Sequence, residues 1–255
     1  MKLNSRNRLP IVLMLASVGF SLPCFAQTHQ GFYGKPARLR NLSDLRLIEG
    51  TDLTHVQKME VLLSWLVSER NNPSAPSIGL GGGVIDSNYT QAQIVKALAA
   101  WGDPTEIGWV TSSTSLNEES LRDCMILAIG GKGDKAQIKA LERILLDNPN
   151  PYLRAIAADD LGSLVSVSSA SVLEIASKDA YSQTFASEAN AGKVTTYYPV
   201  RQAAGQALKI FNNADLLAKK RKFAEADANR LTEAKKHPPI APFTAEHFVA
   251  IANGD

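Results

Sequence analysis

Cysteine is nearly missing from this chain: it has two, and only Cys124 lies beyond residue 26. Residues 1–26 read as a secretory signal peptide. Lys2, Arg6 and Arg8 make a basic start, Ile11 to Phe20 is an apolar run, and Cys24-Phe25-Ala26 suits cleavage before Gln27. Cys24 leaves with that segment, so no intrachain disulfide is expected to staple the remainder. Cys124 then reads as a small buried hydrophobe rather than a reactive thiol.

Histidine is as sparse, with only His29, His55, His237 and His247. No two are spaced to share one helix face, and no HExxH, CxxC or Asp/Asn-rich calcium loop occurs. Ser-x-x-Lys and Gly-x-Ser-x-Gly nucleophile motifs are missing too. We therefore expect no metal, no cofactor and no catalytic residue. Charge of one sign is also lacking. Three of the 27 basic residues depart with the signal, which leaves the basic set one short of the 25 acidic residues. Such a balance gives no electrostatic reason to bind nucleic acid. The mature chain has no run of eighteen apolar residues, so no stable membrane insertion is expected after cleavage.

Glycine is concentrated rather than scarce. Gly79-Leu80-Gly81-Gly82-Gly83 and Gly130-Gly131-Lys132-Gly133 both lack the strand, helix and downstream lysine-hydroxyl context of a phosphate-binding loop. Both read as connections.

What the chain does contain is a repeat. Arg122, Ile129 and Gly130 are matched at the same spacing by Arg154, Leu161 and Gly162, and a third copy runs from Arg201 to Leu208. A looser copy spans Gln91 to Leu98. The anchors Leu98, Ile129, Leu161 and Leu208 are spaced by 31, 32 and 47 residues. Small residues precede them, notably Ala97, Ala128 and Ala207, which suits close helix approach. A period of about thirty residues predicts stacked helix pairs, none able to bury its apolar face alone. The expected helices are Leu121–Ile129 and Lys135–Leu146, then Tyr152–Leu161 and Ser169–Ser177, with Thr90 and Gln93 as a capping box opening an earlier one. After it, Gly102-Asp103-Pro104 restarts a short helix carrying Ile107 and Val110.

Leu153-Arg154-Ala155-Ile156-Ala157-Ala158-Asp159-Asp160-Leu161-Gly162 and Val200-Arg201-Gln202-Ala203-Ala204-Gly205-Gln206-Ala207-Leu208 resemble HEAT repeats of the short bacterial, PBS-lyase-like type. Pro151 and Pro199 stand where that pattern carries a proline. The likeness is good over Leu121–Phe211, weak over Gln91–Val110, and does not cover 27–88 or the C-terminal tail. It implies a stack of antiparallel helix pairs that binds other proteins, and no catalytic residue.

The expected fold is thus all-α: an α-solenoid of about four helical hairpins with capping helices at both ends. Residues 27–88 form an irregular lead-in and a capping helix near Leu53–Arg70, with Val56, Met59, Leu62, Leu63 and Leu66 on one face. Repeats occupy 89–213. Residues 214–255 supply a long charged helix, with Leu216, Leu217, Phe223 and Leu231 toward the stack, and a last short helix over Phe243–Ile251.

The wide third spacing marks an insertion at 181–198, read as a long loop. Tyr181, Phe185, Tyr197 and Tyr198 fall within it, in a chain that is 7% aromatic. Long loops in repeat arrays and clustered tyrosines both point to recognition, so these four are the candidate partner-binding residues. Packing of Phe185 and Tyr198 onto the repeats is the competing reading. Arg122, Arg154, Asp160 and Arg201 are candidate repeat-structural residues, with Asp160 expected to pair with Arg201. The function expected is a protein-binding scaffold in the bacterial envelope, periplasmic or secreted, with a protein partner. A helical hydrolase acting through Asp159 or Glu118-Glu119, and a structural subunit of an envelope assembly, are the alternatives.

Overall fold

The computed structural model describes residues 55–78, 84–101, 119–187, 193–234 and 236. These all belong to one unit, Pro36–Asp255. The signal peptide, the lead-in, the short helix around Ile107 and Val110, Glu118 and the Phe243–Ile251 helix lie outside the described residues. Within them the protein is mostly helical. No described helix is long and apolar enough to cross a membrane.

Helix α1 spans His55–Asn71. Val61, Leu62, Leu63, Trp65, Leu66 and Val67 are all buried, as are Ser64, Ser68 and Glu69. The expectation of one apolar face is corrected here, because a nearly continuous apolar run travels right round the helix. Glu69 closes the turn that follows, accepting from the Ser74 amide at 2.7 Å and its hydroxyl at 2.8 Å.

Two short strands, β1 (Ser77–Ile78) and β2 (Val84–Ile85), pair antiparallel and lead into α2 (Ser87–Trp101). Asp86, not Thr90, opens α2: its carboxylate accepts from the Tyr89 amide at 2.8 Å. A carboxylate at a helix start answers both the free N–H groups and the helix dipole, and it pre-empts the later capping box.

Next come α3 (Glu119–Gly130), a 3₁₀ turn over Lys135–Gln137, and α4 (Ile138–Asp147). Helix α5 (Pro151–Ser163) starts where Asn150 accepts from the Tyr152 and Leu153 amides, with Pro151 in the first turn where its missing N–H costs nothing. Helix α6 (Ala170–Ala176) is short. Strands β3 (Gln183–Ser187) and β4 (Lys193–Tyr197) then form an antiparallel hairpin in register from Gln183–Tyr197 to Ser187–Lys193. The insertion is therefore not a loop. Its β-branched and aromatic residues, Thr184, Phe185, Val194, Thr195, Thr196 and Tyr197, explain why. Helices α7 (Pro199–Phe211) and α8 (Ala214–Ala234) complete the described chain.

Packing runs α2 to α3, α3 to α5 and α5 to α7, with α4 and α6 against each other. Contact is more extensive between α4 and α5, and between α6 and α7, than between α3 and α4. The contact between α5 and α7 is the most extensive among the described elements. It is made by small residues: a Cβ placed on Gly162 would lie 2.9 Å from Ala207 Cβ. Leu98, Ile129 and Leu161 are fully buried, whereas Leu208 is half-buried. In α8, Ala224 and Leu231 turn inward while Leu216 and Phe223 are exposed. Residues seven apart share a face, so burying the first pair turns the other out. Asp227 of α8 meets the turn after α3, where Gly133 adopts φ 96° and a Cβ would come within 2.9 Å of Asp227 Cβ.

Candidate interaction site

The β3–β4 hairpin is rooted by one acidic residue. Asp179 follows α6, and its carboxylate receives Nε of Arg154 at 3.0 Å, a terminal guanidinium nitrogen at 3.1 Å, and the Tyr181 amide at 2.9 Å. Arg201 Nε donates to the Asp179 backbone carbonyl. Two of the arginines picked out by the repeat thus converge on the base of the insertion. Arg154 also donates to the Asn148 carbonyl at 2.8 Å, which fastens the α4–α5 turn. Arg122, their counterpart on α3, is half-buried.

The tyrosines divide into two roles. Tyr181 is half-buried: its ring packs edge-on against Tyr152 at 5.7 Å, and its hydroxyl donates to the Tyr152 hydroxyl at 3.3 Å. Tyr152 packs edge-on against Tyr89 at 5.2 Å. Burial, followed by the Tyr181 hydrogen bond and the nearby Asp86, pushes the Tyr152 hydroxyl above its ordinary range, so it is neutral throughout. Tyr198 lies under the Arg201 guanidinium, 4.3 Å from carbon to ring centre. Tyr181 and Tyr198 therefore seat the hairpin on the helices. Tyr197 is 39% exposed and Val194 62%. Phe185 falls in β3, with its side chain outside the described set.

A second exposed apolar pair lies beside them. Gln183 Nε2 donates to the Val84 carbonyl at 3.2 Å, which joins β3 to β2, and Val84 and Ile78 are exposed. That hydrogen bond links the two hairpins, and Asn150 Nδ2, donating to the Asn88 carbonyl at 3.0 Å, links the starts of α2 and α5.

Asp159, near enough to act electrostatically on Tyr197, is followed on α5 by Asp160. Asp160 does not pair with Arg201, whose guanidinium is taken by Asp179 and Tyr198. It is 7% exposed, and its Oδ2 accepts no hydrogen bond among the described residues. Burial, then the Asp159 charge, raise its pKa well above the usual carboxylate range, and Lys96 opposes them. Asp159, the next residue along the helix, is exposed. Burial raises its pKa too, against Lys96. The Tyr197 hydroxyl is also raised, by burial, then Asp159, then Tyr89.

Other buried polar groups are structural. Asp123 accepts from Asn148 Nδ2 at 2.8 Å and pairs with Arg143, which also reaches Glu119 at 2.9 Å. Glu142 accepts from Ser169 at 2.6 Å and from Lys139 at 2.8 Å; burial works against these bonds, which still hold it below the usual range. Among the described residues no group of histidine, cysteine, aspartate and glutamate is placed to hold a metal ion.

Sequence reasoning missed Asp179, Tyr89, Tyr152, Asp86 and Lys96. Only Asp179 carried a local signal, as a lone acid between the last repeat helix and the insertion. No protein-family model matches this chain, and a search of curated proteins finds no match.

Proposed function

We propose that this protein is an exported protein-binding scaffold of the bacterial envelope, a short α-solenoid whose inserted hairpin is the recognition element. The succession of α2, α3, α5 and α7, with α4 packed on α6 behind them, supports the repeat architecture. The likeness of two of those helices to HEAT repeats supports it further. Export rests on the basic and apolar leader before Gln27.

One observation carries the binding role. A hairpin that adds nothing to the helical core is nonetheless anchored by Asp179, Arg154, Arg201 and three tyrosine rings, while it turns Val194 and Tyr197 to the outside. Rigidly held apolar and aromatic groups on a projecting element lower the entropy cost of docking a partner. Ile78 and Val84 extend the same surface.

The test is photocrosslinking in cells. A photoreactive residue at Val194 is expected to give a discrete protein adduct, and one at the exposed Glu174 of α6 to give none. Tyr197→Ser in the Val194-labelled chain should abolish the adduct while the helical circular dichroism stays unchanged. Identical adducts from both positions, or none, would overturn the scaffold reading.

A helical hydrolase is the second reading, favoured by the raised pKa values of Asp159 and Asp160. Neither carboxyl is hydrogen-bonded to another described side chain, so no nucleophile or base is aligned with them.

A further inference from the structure

Helix α8 is 21 residues long, yet only Ala224 and Leu231 are buried along it. Leu216 and Phe223, expected to face the stack, are instead 38% and 59% exposed. Leu216, Lys219, Lys220 and Phe223 stand at steps of three, four and seven residues, so they share one face. An apolar side chain lies at each end of that stretch, with two lysines between. Arg221 and Lys222 continue the cationic run around the helix, and all four cations are exposed. Nearby, Asp227 is paired with Arg230 and Glu233 with Lys236, so none of the four has a described carboxylate partner.

Exposed lysines alone need no explanation, because charged side chains belong in water. The phenyl ring among them does, since its burial in an apolar phase is forgone. Three kinds of occupant are separable by chemistry. A second copy of this face would bring like charges together. A hydrophobic groove on a partner protein takes apolar side chains at i, i+3, i+4 and i+7; here the middle two are lysines, which it would have to bury unpaired. A bilayer surface takes both kinds at once: the apolar groups enter the headgroup boundary, and the long lysine stems lie along it while the ammonium groups reach the phosphates. The shape agrees, because α8 makes its main contact with α7 and presents these side chains as an exposed ridge. Charge over the whole chain is nearly balanced, so the attraction is local to α8.

We propose that α8 rests on the surface of a bilayer containing anionic phospholipid, with Leu216 and Phe223 inserted at the level of the headgroups and Lys219 and Lys220 on the lipid phosphates. The association is peripheral and reversible: two apolar side chains and a few charges hold the protein on the surface without spanning it. It is independent of what the β3–β4 hairpin binds.

Flotation with lipid vesicles tests it, using protein Gln27–Asp255 so that the basic and apolar leader cannot itself bind lipid. The protein should float with vesicles of phosphatidylcholine and phosphatidylglycerol, stay behind with phosphatidylcholine alone, and be released as salt is raised. Each lysine near an anionic surface is worth roughly fivefold in affinity, so Lys219→Gln with Lys220→Gln should weaken binding roughly 25-fold. Phe223→Gln keeps every charge and a good helix former, and should weaken it roughly tenfold or more. Lys96→Gln with Lys178→Gln removes the same charge from exposed positions on other parts of the chain and should leave binding nearly unchanged. Helical circular dichroism checks that each variant is folded. No flotation, equal flotation with both lipids, or equal losses from the two lysine pairs would overturn the proposal. Undiminished binding in Phe223→Gln would overturn it too, since the ring would then not enter the lipid. Polyglutamate is the soluble alternative: if it binds the native protein as tightly as the anionic vesicles do, the face selects acidic polymers and the bilayer assignment falls.

Discussion

Arg154 holds the Asp179 carboxylate in a two-pronged grip, Nε at 3.0 Å from one oxygen and a terminal nitrogen at 3.1 Å from the other. Both side chains are only 15% exposed, so solvent screens the pair weakly. Asp179→Ala strands the guanidinium and unties the Tyr181 amide, and should cost about 2–3 kcal/mol in urea unfolding. Asp179→Asn keeps one side-chain oxygen able to accept from Arg154 or the Tyr181 amide, and should lose less. A loss below about 0.5 kcal/mol in Asp179→Ala, the range of exposed pairs, would mean that the hairpin is not rooted there.

The crossing of α5 over α7 sets a second expectation. Alanine is a better helix former than glycine by about 1 kcal/mol, so Gly162→Ala would ordinarily stabilise. Here its methyl group would meet Ala207 Cβ at 2.9 Å, backbone-borne on both sides and unable to swing away. Net destabilisation of about 1–3 kcal/mol is expected. The double change Gly162→Ala with Ala207→Gly should recover part of the loss, since it returns the missing space. A stabilised single variant would place the two helices further apart than described.

Cys124 is 2% exposed on α3, and burial, with the adjacent Asp123 charge adding to it, pushes its thiol up to about 12. The thiolate is the reacting species, so protein Gln27–Asp255 should resist a thiol reagent at pH 8 and react fully only in denaturant. Reaction at the rate of a free thiol under native conditions would show that α3 opens readily.

Much of the helical order was legible because it is written in local terms. Asn150-Pro151 announces α5, Pro199 announces α7, and the repeated Arg-to-Leu spacing places the helices that pack as successive neighbours. The strands escaped because they are short and lie between helices, where Gln183–Ser187 and Lys193–Tyr197 reveal a hairpin only when they are paired with each other. The site was legible in part. Arg154 and Arg201 stood out by periodicity, but their shared target Asp179 belongs to no repeat. The row of Tyr89, Tyr152 and Tyr181 joins three elements that are far apart in sequence, and no local pattern encodes such a contact. Asp160 was conspicuous as the one acid in an alanine column. Its expected partner was wrong because Arg201 is drawn to the Asp179 carbonyl and the Tyr198 ring instead.

The same aspartate makes stability depend on pH in a defined sense. The folded protein raises the Asp160 pKa, chiefly through burial, so between the ordinary carboxylate range and that raised value it binds a proton which the unfolded chain has released. Stability must then fall as pH rises through this window, and be fully present only in acid. Asp159, raised in the same direction, contributes a smaller slope of the same sign. Asp160→Ala restores the residue that the other repeats carry and removes a buried acceptor without a donor. It should therefore be more stable than the native protein at pH 8 by about 1 kcal/mol, with the advantage shrinking toward pH 4. Urea unfolding of both proteins across that range reads the difference directly. Parallel curves would mean that Asp160 titrates as an ordinary carboxylate and carries no buried proton. A native protein more stable than the variant at pH 8 would mean that its Oδ2 is satisfied in solution.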